Sequence, residues 1–347
     1  MNTSNASRSR ELDALRGIAA SWALLFHYST RYGELFGDGG APFHVPDGFW
    51  GVELFFAISG FVMLMTLSRM RSAGEFVVAR IVRLYPTYWA GVAITFGVML
   101  LWPLPGRTVT APEAAFNLTM LQEYFRVPDV DSVYWSLEVE LVFYAWIVGV
   151  LAAGWLPRTR LLVTVWMLAG VAAYLACRHF GRAMPVIVDR VLLPEHCGYF
   201  GIGVTAFLDY QAGRASRASW LQYGVAVAVA CLARGPQGGV LALGIAAVFW
   251  LVSQRRAGLL DTRLLVFLGA ISYPLYLLHQ NVGYVVIHAL RAHAVGYGWS
   301  MLAAVAVSLA GATALHYAVE APVRDGFQRW RRQHRPAVRP AIGGAGS

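Results

Sequence analysis

Between Leu12 and Glu320 the chain is a run of apolar blocks, parted by short stretches that hold arginine, proline or glycine. A helix rises about 1.5 Å per residue, so about 20 apolar residues cross the hydrocarbon layer of a bilayer. Such blocks restrict the chain to a helical membrane bundle, because a bilayer offers no water to an unpaired backbone group. Composition agrees. Hydrophobic residues are 57% of the 347 and charged residues 14%, against about 25% charged in soluble domains. Mean hydropathy is +0.52.

Reading blocks between breaks gives candidate spans near 12–30, 49–67, 84–103, 133–153, 161–177, 191–208, 220–233, 238–253, 264–290 and 299–320. The expected fold is an all-α polytopic bundle of about ten transmembrane helices over residues 1–325, with a disordered cytoplasmic tail over 326–347. The seventh and eighth spans are short, and "ARGPQGG" between them reads as a tight turn or the tip of a re-entrant hairpin. The first block has no clear cleavage site and is expected to stay as the first helix.

All 28 basic residues are arginine. With the N-terminus inside, twenty of them fall on inside segments, from Arg8, Arg10 and Arg16 through Arg80 and Arg83 to the tail beyond Arg324. This asymmetry follows the positive-inside rule and an even number of spans. The basic charge therefore reads as membrane orientation, and no nucleic-acid partner is expected. Cys177, Cys197 and Cys231 are unclustered, which supports neither a disulfide framework nor a metal site.

Ionisable groups inside a bilayer cost several kcal/mol and need a reason. The candidates are His27, Glu53, Glu138, Glu140, Glu195, His196, His279, His288, His316 and Glu320. Each has an ordinary explanation, pairing that holds helices together. Arg16 and His27 are eleven residues apart, about 16 Å along a helix and about 20° from a shared face. Counting the rise from each span's end places Glu53, Glu140 and His279 at similar depths in the outer half. Two histidines and two carboxylates would then meet, and an imidazole beside a carboxylate is a usable base near neutral pH. Arg80 and Arg83, in "FVVARIVRLYPTYW", share a helix face. Side by side they suit an anionic ligand such as phosphate, unless they are ordinary inside charge.

These stretches together resemble the acyltransferase-3 family of integral-membrane O-acyltransferases. "LDALRGIAA" followed by His27 resembles its first helix, with Arg16 and His27 in its Arg-x10-His pattern. "GVELFFAISGF" resembles its Ser-Gly-Phe helix, here Ser59, Gly60 and Phe61. "RIVR" before "YP" resembles its Arg-x-x-Arg loop. "WSLEVELVFY" puts Glu140 at the acidic position of its Trp-Ser-Leu helix. "ISYPLYLLHQ" places His279 where the family has a histidine, and "VEAP" supplies Glu320 and Pro322. The match runs from about residue 10 to 325.

The resemblance implies transfer of an acyl group, usually acetyl, from cytoplasmic acyl-coenzyme A to a hydroxyl of a glycan or similar acceptor. Acetyl-coenzyme A or another acyl-coenzyme A would be a substrate, with no permanently bound cofactor. Arg80 and Arg83 would hold its phosphates, with Arg16 on the path of the pantetheine arm. His27 would be the general base or a transient acyl carrier. Glu53, Glu140 or His279 would set its tautomer, and Ser59 or Trp135 would steady the oxyanion. Three departures stand out. Position 53 is Glu where Asp is commoner, Glu138 is an extra acid beside Glu140, and the hydrolase-like domain of some relatives is not expected here. The main alternative is a transporter or flippase for a polar lipid or glycan, which also needs charges at mid-depth. A purely structural scaffold leaves these charges unexplained. Neither Gly-x-Ser-x-Gly nor His-Glu-x-x-His occurs, so serine- and zinc-hydrolase readings lack support.

Overall fold

The computed structural model describes residues 3–37, 40–68, 70 and 72–333, with side chains from residue 10 onward. Arg69, Arg71, the Arg8 side chain and the tail beyond Gln333 lie outside the described residues. No strand occurs among the described residues. The long helices are α1 (Thr3–Phe26), α2 (Gly51–Leu67), α3 (Ala73–Leu101), α4 (Trp135–Ala152), α5 (Thr159–His179) and α6 (Cys197–Ala212). Then comes the helical stretch Arg217–Ser253, whose arms α7 (217–234) and α8 (236–253) meet at Gly235. The order closes with α9 (Ser272–Ala292), α10 (Tyr297–Leu315) and α11 (Ala321–Gln333).

The α7–α8 pair confirms the turn read from "ARGPQGG". Gly235 takes φ +77°, a conformation that costs glycine little, and Pro236 starts the return arm. The rings of Trp220 and Trp250 lie 5.8 Å apart. A straight helix would separate them by about 45 Å, so the two arms are antiparallel.

Seven helices among the described residues are long and apolar enough to cross a membrane, with α7 and α8 counted as one. Two further long helices, α1 and α9, are not among the seven. Both are diluted by polar residues; His27 directly follows α1, and α9 carries His279. The outer surface is apolar, with Leu101, Leu161, Leu221, Val240, Leu243 and Trp299 all exposed. An aqueous domain would bury such residues, whereas lipid solvates them. The last helix continues to Gln333, past the boundary at 325 where the sequence reading begins its tail.

Small residues bring the helices close. A Cβ at Gly60 would strike the Phe200 carbonyl, and one at Gly203 the Ala57 carbonyl, so α2 and α6 pack backbone to backbone. Gly60 of the Ser-Gly-Phe stretch therefore has a packing role. Gly283 of α9 does the same for α1, since a Cβ there would meet the Tyr28 hydroxyl. Polar pairs mark the bundle's two ends. Arg10 with Asp261 (2.6 Å) and Arg331 with Glu75 (2.5 Å) tie one end. At the other, residues 104–131 fold over the bundle. Asp131 Oδ2 accepts from the Asn281 backbone N–H (2.9 Å), and Arg107 donates to Asn281 Oδ1 (2.5 Å).

Candidate active site

Directly after α1 ends, the five residues His27–Arg31 form a single π-helical turn, in which the Tyr32 N–H bonds the His27 carbonyl. Such turns insert a residue into a helix and re-aim its side chains. Here the turn points Tyr28 into α9. Its hydroxyl donates to the His279 carbonyl (2.5 Å) and contacts Ser308 Oγ at 2.6 Å. With Gly283 leaving room, this clamp sets α1 against α9.

The result is a pair of imidazoles. The rings of His27 and His279 lie 5.0 Å apart, edge to face. His27 Nδ1 meets the Tyr284 hydroxyl at 2.9 Å. His279 is buried, and its Nδ1 faces the carbonyls of Leu275 (3.1 Å) and Tyr276 (2.9 Å). Carbonyls only accept, so this nitrogen carries the proton and Nε2 is left as an acceptor. Nε2 is buried with no hydrogen-bond partner among the described residues. Arg107, in the loop over residues 104–131, lies over the Tyr284 ring, 5.3 Å from its centroid.

A cavity of about 100 Å³ lies on the other side of Tyr276. Its walls include Arg16, Arg80, Arg83, Ser59, Glu140 and Tyr276. Five helices build it: α1, α2, α3, α4 and α9. Glu140 Oε1 accepts from Ser59 (2.7 Å) and from Tyr144 (2.5 Å). Arg83 is paired with Glu320, and Glu320 is paired with His316 at 2.7 Å. Arg80 lies over the rings of Phe76 and Tyr144, and its Nε has no partner among the described residues. Arg16 bonds Asp13 on its own helix (3.1 Å). One phenol ring separates the two levels: Tyr276 lines the cavity and lies 5.6 Å from the His279 ring.

The residues singled out in the sequence thus fall into three groups. His27 and His279 meet. Arg16, Arg80, Arg83, Ser59 and Glu140 share the cavity. Glu53 and Trp135 sit apart on the α6 flank, where Glu53 accepts from Arg234 (2.7 Å) and meets His196 at 3.3 Å. Trp135 packs on that same His196 ring at 5.5 Å, and Arg234 covers Trp50 at 4.5 Å. No carboxylate among the described residues hydrogen-bonds His27; the phenol of Tyr284 takes that place. Glu138 accepts from the Glu123 backbone N–H (2.8 Å) and lies 3.6 Å from Arg190, so it secures the loop over residues 104–131. Sequence reading missed Tyr276 and Tyr284, although both share α9 with His279, three and five residues away. It also missed Arg107, which no periodicity distinguishes from other loop arginines.

A family model described as an acyltransferase domain matches residues 9–317. The chain belongs to the acyltransferase-3 family. Among its relatives is BcsY of Komagataeibacter xylinus, named as a membrane-bound transacylase. It is 31% identical over 202 residues, 53% of this chain and 49% of its own length. The exopolysaccharide production protein ExoZ of Rhizobium meliloti is 29% identical over 143 residues, 39% of this chain and 40% of its own length. Nodulation protein 10 of Rhizobium leguminosarum is 24% identical over 148 residues, 38% of this chain and 40% of its own length. The chain spans half or less of the length of the curated relatives it matches. No solved structure matches it.

Proposed function

We propose that this protein transfers an acyl group, acetyl in the first instance, from cytoplasmic acyl-coenzyme A to a hydroxyl of a carbohydrate or related acceptor. The observation that carries the reading is the polar column through an apolar bundle. A cavity walled by three guanidiniums lies one phenol ring from a pair of imidazoles. Guanidiniums suit the phosphates of coenzyme A, and imidazoles suit proton transfer from a hydroxyl. Arg80 and Arg83 hold the phosphates at the inner mouth, Arg16 lines the path of the pantetheine arm, and Glu140 and Ser59 line the wall beside it. The thioester reaches His27 and His279 once the Tyr276 ring swings aside. Glu53 of α2 and Trp135 of α4 belong to the flank and serve the reaction only by holding their helices against His196 at the start of α6. The transacylase name of BcsY and the exopolysaccharide name of ExoZ support an acyl reaction and a polysaccharide setting.

The arginine asymmetry supports an inner-membrane protein with both termini in the cytoplasm. Reporter fusions at Asp129 and Ser347 test this and should report opposite sides; a shared side would overturn it. The reaction itself is tested with the full-length protein in membrane vesicles given radiolabelled acetyl-coenzyme A and cell-envelope glycan. Free coenzyme A should appear with label on an alkali-labile ester of the glycan. A flippase would move material without releasing the thiol, and that outcome would contradict the reading.

A further inference from the structure

The two imidazoles are not equivalent, and their surroundings assign them different work. The Nδ1–H of His279 is committed to the carbonyls of Leu275 and Tyr276. Its Nε2 is therefore a lone pair, fixed in direction by the helix and buried with nothing among the described residues to bond it. Leaving a buried acceptor unpaired is unfavourable, so the site is built for a donor that arrives. A hydroxyl is such a donor. His27 is bonded the other way round. A phenol O–H is more acidic than the N–H of a neutral imidazole, and the Arg107 guanidinium over the Tyr284 ring sharpens this. Tyr284 then donates to His27 Nδ1 across 2.9 Å, and the His27 proton sits on Nε2. One ring offers a lone pair and its neighbour, 5.0 Å away, offers an N–H.

We propose that His279 is the general base that takes the acceptor's proton, while His27, held by Tyr284, donates its Nε2–H to the thioester oxygen. This rests on the acyl-transfer reading above and divides the labour within it. In the forward step the acceptor O–H bond breaks and its proton passes to His279 Nε2. The oxygen bonds the thioester carbon, and the carbonyl oxygen, now negative, is held by His27 Nε2–H. The tetrahedral intermediate collapses, the C–S bond breaks, and the thiolate leaves. The His279 imidazolium returns its proton to the sulfur, giving ester and free coenzyme A with both rings restored. Tyr284 acts through His27 and is a positioning residue.

The test uses the full-length protein in vesicles, acetyl-coenzyme A and cell-envelope glycan, with equilibrium acetyl-coenzyme A binding as the check on folding. Removing a base costs about 10²–10⁴-fold, so His279→Gln and His279→Ala should fall by that much. Losing an oxyanion donor costs about 10²–10³-fold, so His27→Ala should also be poor. His27→Gln keeps an N–H and should stay within about ten-fold of wild type. Added imidazoles should restore His279→Ala with a rate that climbs with their basicity, and should not restore His27→Ala in that manner. Tyr284→Phe should lower turnover with acetyl-coenzyme A affinity unchanged. The assignment is overturned if His27→Gln is as inactive as His27→Ala, or if basicity-dependent rescue belongs to His27→Ala. It is overturned equally if folded His279→Gln keeps full activity. Should the His279 variants fail to bind acetyl-coenzyme A, His27→Gln decides alone. Wild-type protein that releases no coenzyme A would fail the acyl-transfer reading itself, whatever the variants do.

Discussion

Two histidines, His27 and His316, each open a five-residue π-helical turn, yet they sit in opposite surroundings. His316 lies 2.7 Å from the carboxylate of Glu320, which also pairs with Arg83. Its level of the bundle is ionic. The Arg16 and Arg83 guanidiniums are met by carboxylates, and Arg80 and Arg83 also lie over aromatic rings. His27 has a phenol and a second imidazole for neighbours, and its level holds a buried nitrogen without a partner. The same backbone device therefore serves two ends. Where the first residue of the turn meets a carboxylate, it joins an ionic network with Glu320 and Arg83. Where it meets neutral rings, it leaves hydrogen-bonding capacity open, and open capacity inside an apolar bundle is where chemistry is expected.

Variants at the two levels should separate cleanly. The largest effects belong to the imidazole level. Beside the His279 variants above, His27→Ala should reduce acyl transfer by about 10²–10³-fold while expression and insertion stay normal; an active His27→Ala would erase the distinction between the levels. Arg83→Ala comes next. A charge-assisted contact is worth about 1.5–3 kcal/mol, so acetyl-coenzyme A should bind about ten-fold more weakly or worse. Arg83→Lys should recover only part, because the forked donor is lost. Gly283→Ala would sharpen the comparison differently. It overfills the contact with Tyr28 and should cost roughly 1–3 kcal/mol of stability, measured as a lower unfolding temperature. It should slow transfer by pushing His279 from His27, with donor affinity spared. The smallest effect is expected of Glu320→Gln. It frees Arg83 from one ionic hydrogen bond, so acetyl-coenzyme A should bind more tightly, by about ten-fold at most. Weaker binding in that variant would mean that Glu320 orients Arg83 rather than competing for it.

Much of this was legible in the residues. Apolar blocks near the span length specify the bundle, and "ARGPQGG" specifies the one antiparallel hairpin whose arms would otherwise read as a single long helix. Arg16, Arg80 and Arg83 could be assigned to one face of the protein because helical rise orders them by depth. Depth alone misplaced the acids. Glu53 and Glu140 were expected beside His27 because their distances from span ends agree, but rotation about each helix decides the neighbour. Glu53 turns toward α6, where Arg234 reaches it from the α7–α8 turn, 181 residues away in sequence. No local pattern announces such a pair. The π-turn at His27 was equally hidden, since one inserted residue leaves no mark on composition. It is what turns Tyr28 into α9 and sets the imidazoles together.

The central claim is that the guanidinium cavity binds the acyl donor and the imidazole pair performs the transfer, as two sites parted by Tyr276. Equilibrium binding of acetyl-coenzyme A to wild type, His27→Ala and the Arg80→Ala/Arg83→Ala double variant tests it directly. The account predicts wild-type affinity for His27→Ala and a loss of about ten-fold or more for the double variant. Wild-type affinity in a folded double variant, or a comparable loss in His27→Ala, would contradict it.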